Sequence, residues 1–197
     1  AIVIPNITES AELGSNITEP LVIEPNITEP NSTIPEGETP VLLVPPTAET
    51  NNISVVNEVT NTTATVNVGN NSGGIAVSPQ GTNVYVTNIV NNTVSVINTV
   101  TNNVTNVINV GNYPAGIAIN PEGTKVYVTN VYSNTVSVID TTTNTVISTI
   151  NVGNYPTGVA VAGTRAYVTN AFSNTVSIIN TVTNTVIYTI NVGNYPT

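Results

Sequence analysis

The stretch that decides the fold runs from Lys125 to Pro156, KVYVTNVYSNTVSVIDTTTNTVISTINVGNYP. Three runs of alternating character, Lys125 to Val131, Thr135 to Asp140 and Thr145 to Val152, are separated by turns at Ser133-Asn134 and Thr142-Thr143-Asn144. Period-two alternation bounded by residues that tolerate turn dihedrals is the signature of strands. A fourth run, Ala115 to Asn120, precedes them across Pro121-Glu122-Gly123, and the unit closes on Gly153-Asn154-Tyr155-Pro156. Val, Ile, Thr and Tyr fill the runs while the helix formers Leu, Lys, Glu and Gln are nearly missing, so four antiparallel strands and no helix are expected.

The unit recurs on both sides. Tyr85-Val86-Thr87-Asn88, Tyr127-Val128-Thr129-Asn130 and Tyr167-Val168-Thr169-Asn170 stand 42 and 40 residues apart, and Val-Gly-Asn recurs at Gly69, Gly111, Gly153 and Gly193. The shorter interval arises where Asn120-Pro121-Glu122-Gly123 contracts to Val161-Ala162-Gly163, within a turn. Four strands every 40 to 45 residues is the period of a propeller blade. Ala76, Ala118 and Ala160 place a small residue in the first strand of each unit, which suits the crowded inner strand of a radial array. The expected fold is therefore all-β, a β-propeller-type array of four-stranded antiparallel blades amounting to about 3.5 repeats. Residues 51–70 supply the last two strands of a partial blade, three blades follow through 197, and an extended Pro-rich tail precedes them. A closed ring needs more blades, supplied by further repeats, by a neighbouring subunit, or by tail segments such as Ala1 to Ile4, Leu21 to Ile23 and Val41 to Val44 acting as added strands.

The Tyr-Val-Thr-Asn words are preceded by Gly-Thr-Lys-Val or Gly-Thr-Arg-Ala and followed by Asn-Thr-Val-Ser-Val-Ile and Val-Gly-Asn-Tyr-Pro. In this order they resemble the YVTN β-propeller repeats of archaeal surface-layer proteins. The resemblance covers residues 51–197, implies a propeller at a cell surface and carries over no catalytic residue.

The first 50 residues have different physics. Eight of the 11 acids and eight of the 13 prolines fall there, with Pro20, Pro25, Pro30, Pro35, Pro40 and Pro45 at every fifth position. Proline at that density blocks helices and central strands, so residues 1–50 read as an extended stalk. Asn-x-Ser/Thr acceptor sequences occur at Asn6, Asn16, Asn26, Asn31, Asn52, Asn61, Asn70, Asn91 and Asn103. All four tail asparagines are acceptors, which makes the stalk the expected place for glycans.

Composition excludes most chemistry. The chain has 197 residues, no His, Cys, Met or Trp, only Lys125 and Arg165 as cations, and a net charge of −9. Imidazole bases, thiol nucleophiles, His or Cys metal sites and disulfides cannot be built from it. Two cations cannot neutralise a run of phosphates, so nucleic acid is not an expected partner. No apolar run approaches the roughly 18 residues of a spanning helix. With charged residues at 7%, solubility rests on 33 Asn and 34 Thr. The chain begins at Ala1 without a basic-apolar leader, as a processed protein or a fragment would.

Glu122 and Asp140 are the acids of the complete blades, and Gln80 and Asn98 stand at their repeat positions, so both are expected in turns rather than in catalysis. Lys125 and Arg165 share a repeat position with Asn83 and read as strand-edge charges. Two tyrosine rows, Tyr85, Tyr127, Tyr167 and Tyr113, Tyr155, Tyr195, could stack on a saccharide, but a structural repeat places core residues with the same period, so packing between sheets is expected of both. Asn88, Asn130 and Asn170 are poor Ca²⁺ ligands without Asp and are expected to bond turn backbone. No cofactor or metal is expected. The overall expectation is a non-catalytic extracellular structural protein that self-associates into a surface layer or filament, with an adhesion or saccharide-binding module as the competing reading.

Overall fold

The computed structural model describes residues 51–57 and 62–197. The stalk, the tail segments named as added strands, and Asn6, Asn16, Asn26, Asn31 and Asn61 lie outside the described residues. Fourteen strands follow one another among the described residues. A hairpin of β1 (Asn51–Asn57) and β2 (Thr62–Gly69) precedes three four-stranded meanders. The first meander is β3 (Ser72–Val77), β4 (Asn83–Asn88), β5 (Thr93–Asn98) and β6 (Asn103–Asn109). The second is β7 (Pro114–Ile119), β8 (Lys125–Asn130), β9 (Thr135–Asp140) and β10 (Thr145–Asn151). The third is β11 (Pro156–Ala162), β12 (Arg165–Asn170), β13 (Thr175–Asn180) and β14 (Thr185–Asn191). All pairings are antiparallel between consecutive strands, so each meander is a propeller blade and β1–β2 is the expected half-blade.

The blades pack face to face. Tyr85, Val94, Val96 and Ile108 of one blade close on Val126, Val128 and Ile139 of the next. Tyr127, Val136, Val138 and Ile150 then close on Ala166, Val168 and Ile179, while Val66 and Val68 of the half-blade meet Val84, Val86 and Ile97. A fully buried Val or Ile contributes about 1.5–3 kcal/mol, so each interface outweighs any single hydrogen bond within it. Burial on both faces also explains why β8 and β9 are buried along nearly their whole length, whereas outer β10 alternates.

The turns account for the asparagine content. Asn92, Asn134 and Asn174 in one set of hairpins, and Asn102, Asn144 and Asn184 in another, have φ between 53° and 56°. Asn tolerates this left-handed conformation better than other residues with a Cβ. Asn98, Asp140 and Asn180 close the third-to-fourth strand turns with a side-chain oxygen that accepts the N–H groups two and three residues on, at 2.8 to 3.1 Å.

Candidate functional site

The recurring Tyr-Val-Thr-Asn word is a blade-to-blade clamp. Tyr85 and Tyr127 are fully buried, and burial pushes the Tyr127 hydroxyl up to about 12. Tyr167 is 36% exposed because among the described residues no following sheet packs on it. The threonine hydroxyl of Thr129 accepts the Gly116 N–H at 2.8 Å and donates to the Thr157 carbonyl of the next blade at 2.9 Å. Thr87 does the same with Gly74 at 2.7 Å and Ala115 at 3.2 Å. A Cβ on Gly116 would lie 2.3 Å from the Thr157 carbonyl oxygen, so the inner strands approach only because glycine stands there.

Asn88, Asn130 and Asn170 are buried, and each Nδ2 donates to two hydroxyls of the neighbouring strand, Thr135 and Ser137 in the case of Asn130. Their expected bonds to turn backbone are thus replaced by bonds to strand hydroxyls; only Asn130 adds a backbone partner, the Gly111 N–H at 3.1 Å. The amide nitrogens are thus satisfied within the sheet, while the Oδ1 atoms of Asn88 and Asn170 have no partner among the described residues.

The described charged side chains are scattered: Glu122, Lys125 and Asp140 are engaged, while Arg165 is exposed at the start of β12, which lies between β11 and β13 and is not an edge strand. Asp140 Oδ1 accepts the Thr143 and Thr142 N–H groups, which hold its carboxyl below the usual carboxylate range, and Asn98 and Asn180 perform the same turn closure uncharged. Glu122 Oε2 accepts the Asn120 amide at 2.8 Å. Lys125 is not an edge charge as expected. Strand β8 lies between β7 and β9, and the Lys125 Nζ reaches the Thr181 carbonyl of the next blade at 2.7 Å.

The second tyrosine row departs from expectation. Tyr113, Tyr155 and Tyr195 do not pack between sheets: the first two sit in the links that enter inner strands β7 and β11 and Tyr195 in the equivalent segment after β14, with φ of 57°, 58° and 51°. Their side chains emerge at the loop end instead. A bulky residue in this region is an outlier that costs on the order of 1–3 kcal/mol. The first repeat has Asn71 there, at φ 56°, so the turn itself does not require tyrosine. Asn92, Asn134 and Asn174 hold the three strained residues by accepting their N–H groups at 2.9 Å.

Tyr132 and Phe172, from the neighbouring hairpins, complete an aromatic ribbon. Ring centroids lie 4.6 Å apart for Tyr113 and Tyr132, 6.0 Å for Tyr132 and Tyr155, 4.2 Å for Tyr155 and Phe172, and 6.1 Å for Phe172 and Tyr195. Tyr132, Phe172 and Tyr195 remain 62%, 61% and 68% exposed. Five contiguous aromatic rings at a surface form an apolar patch of the kind that marks an interaction site. This loop end of the blades is the candidate functional site.

Residues 69–164 match the model of the YNCE-like beta-propeller family. Most of the ribbon, from Tyr113 through Tyr155, lies inside the matched residues. Among solved structures, Kuenenia stuttgartiensis hydrazine synthase is similar with a TM-score of 0.61 at 29% identity, over 63% of this chain and 36% of that one. A functionally unknown protein from Desulfotomaculum acetoxidans is similar with a TM-score of 0.58 at 21% identity, over 70% and 47%. The WD40 repeats of RRP9 give 0.57 at 13% identity, over 61% and 38%. The chain thus spans less than half the length of each. The latter two likenesses concern the fold alone. No curated protein matches the chain in sequence.

Of the acceptor asparagines within the described residues, Asn52, Asn91 and Asn103 are exposed and Asn70 is half-buried. Asn91 Oδ1 accepts the Asn70 N–H at 3.1 Å. Tyr132 and Phe172 were not among the sequence candidates. Each stands five residues after the tyrosine of its Tyr-Val-Thr-Asn word, and that shared repeat position was the available signal.

Proposed function

We propose that the chain is a non-catalytic extracellular structural protein, a propeller array that serves as the building block of a cell-surface layer or self-assembling filament. One observation carries this reading: the Thr and Asn of the recurring Tyr-Val-Thr-Asn word and the acid of the complete blades' turn are engaged in holding the array together. Thr129 bridges two inner strands, Asn130 ties adjoining elements, and Asp140 closes a turn in the manner of Asn98 and Asn180. A repeat selected for catalysis keeps a titratable group free and poised near a second one. Residues 1–50 serve in this reading as an extended stalk glycosylated at Asn6, Asn16, Asn26 and Asn31.

Electron microscopy of purified native material tests the proposal, with lattices or fibres expected. Dispersed single particles at all concentrations, with a monomer mass by size-exclusion chromatography, would refute it. The aromatic ribbon favours a second reading, a binding module, because none of the blade-to-blade contacts described above requires its rings.

A further inference from the structure

The ribbon is built of alternating tight stacks and open corners. Tyr132 with Tyr155, and Phe172 with Tyr195, meet edge to face at interplanar angles of 61° and 87°. The second corner opens on a cleft of about 310 Å³ lined by Phe172, Asn174, Asn194 and Tyr195. Asn174 uses its Oδ1 to hold the Tyr195 N–H, which leaves its Nδ2 hydrogens to the cleft, and the exposed Asn194 amide has no partner among the described residues. Asn134 and Asn154 stand at the same repeat positions beside Tyr132 and Tyr155, and Asn134 holds the Tyr155 N–H in the same way.

Charge narrows the ligand. Because the strands are antiparallel, the turns after β7 and β9, with Glu122 and Asp140, lie at the opposite end of the blades from the ribbon. Lys125 and Arg165 begin β8 and β12 at that same far end. The ribbon end therefore offers aromatic rings, carboxamides and phenolic hydroxyls, with no carboxylate or cation from the blades. Among the described side chains, an anionic polymer finds no counter-charge here and a cation finds no carboxylate. A pyranose presents an apolar C–H face to a ring and neutral hydroxyls to amides, and the corners repeat once per blade, as the units of a linear glycan repeat.

We propose that the two corners are subsites for a linear, uncharged oligosaccharide, with Phe172 and Tyr195 forming one and Tyr132 and Tyr155 the other. Asn174 and Asn194, or Asn134 and Asn154, bond the sugar hydroxyls. Two weak subsites on one rigid array act together through effective concentration, so affinity rises with chain length until both are spanned. The left-handed tyrosines are the fingerprint of the site: Tyr155 and Tyr195 occupy a backbone conformation that Asn71 adopts with less strain in the first repeat. The inference stands apart from the building-block reading, since a chain can bind glycan without assembling and assemble without binding.

The test titrates the full chain by isothermal calorimetry with cellohexaose, maltohexaose, mannohexaose and chitohexaose, and with an oligogalacturonate as the charged control. At least one neutral hexasaccharide is expected to bind, more tightly than its disaccharide and more tightly than the uronate. The Tyr155→Asn/Tyr195→Asn double variant should bind at least tenfold more weakly while melting at the same temperature or higher, because asparagine suits the left-handed turn. That melting result separates loss of a site from loss of fold. Phe172→Ala should weaken binding as well. No binding by any neutral member, undiminished binding by the double variant, or equal binding of the uronate would each overturn the proposal.

Discussion

Truncating Asn130 to alanine should be among the most damaging single changes in the blades. The side chain is fully buried, and it donates to Thr135 Oγ1 at 3.0 Å and to Ser137 Oγ at 2.9 Å while accepting the Gly111 N–H at 3.1 Å. Each buried hydrogen bond is worth about 1 kcal/mol net, and the vacated volume adds a cavity cost. The sum is about 3–4 kcal/mol, which in a domain of this size lowers the melting temperature by about 8–14 °C. Asn170→Ala loses only two of the three bonds, because its Oδ1 has no partner among the described residues, so it should cost about 1 kcal/mol less. Asn109→Ala, on the exposed outer strand, should stay within about 0.5 kcal/mol of the parent. Thermal and urea unfolding of the full chain followed by circular dichroism gives all three values. An Asn130→Ala cost below about 1 kcal/mol, or one no larger than that of Asn170→Ala, would refute the bond-by-bond reasoning.

Thr129→Val keeps the shape but removes the hydroxyl between Gly116 and Thr157, and denaturant unfolding should register a loss of about 2 kcal/mol. Asp140→Asn should leave stability at neutral pH unchanged, since Asn98 and Asn180 close the same turn. The parent alone should then lose stability from this site as pH falls from the unfolded carboxyl range through the lowered folded pKa, because the unfolded state takes up the proton first. In alkaline ultraviolet titration Tyr85 and Tyr127 should ionise above the ordinary phenol value of about 10, with Tyr127 near 12, and folding should weaken as pH rises from about 10 towards that value. Coincident titration of all eight tyrosines in the folded chain would contradict that burial effect. Glycopeptide mass spectrometry should place glycans on Asn6, Asn16, Asn26 and Asn31 and none on residues 104–197, where no acceptor sequence exists; bare asparagines at all four would remove the glycosylated stalk.

Strand positions were legible because each turn carries its own chemistry. The run Thr135 to Asp140 coincides with β9, the runs of β8 and β10 extend one residue beyond the strand at the C-terminal end, and the run of β7 is displaced by one residue at both ends. Those end residues were drawn into turn bonding instead, as when the Val131 N–H donates to the Tyr113 carbonyl at 3.0 Å. The site was less legible. Periodicity reports that a residue does the same thing in every repeat, but not whether that thing is burial or display. Tyr127 and Tyr155 have the same recurrence, yet one is fully buried and the other lies on a surface ribbon. Tyr127 stands in a strand run and Tyr155 in a turn, but nothing in the word Asn-Tyr-Pro announces the positive φ of Tyr155 or the display of its ring. Lys125 was misread for a related reason: a strand's place in the sheet decides whether its first residue is an edge, and its partner Thr181 lies 56 residues away.

The threonine clamp points one way. Thr87 reaches forward to Ala115 and Thr129 forward to Thr157, so both threonine clamps are made by an earlier blade upon a later one. A chain emerging from a ribosome or a translocation channel delivers its N-terminal residues first. The hairpin β1–β2 already offers Val66 and Val68 as a landing surface for the first meander, which in turn offers Tyr85, Val94 and Val96 to the second. Order can therefore spread by accretion in the direction of synthesis, each finished blade acting as the template for the one still being threaded.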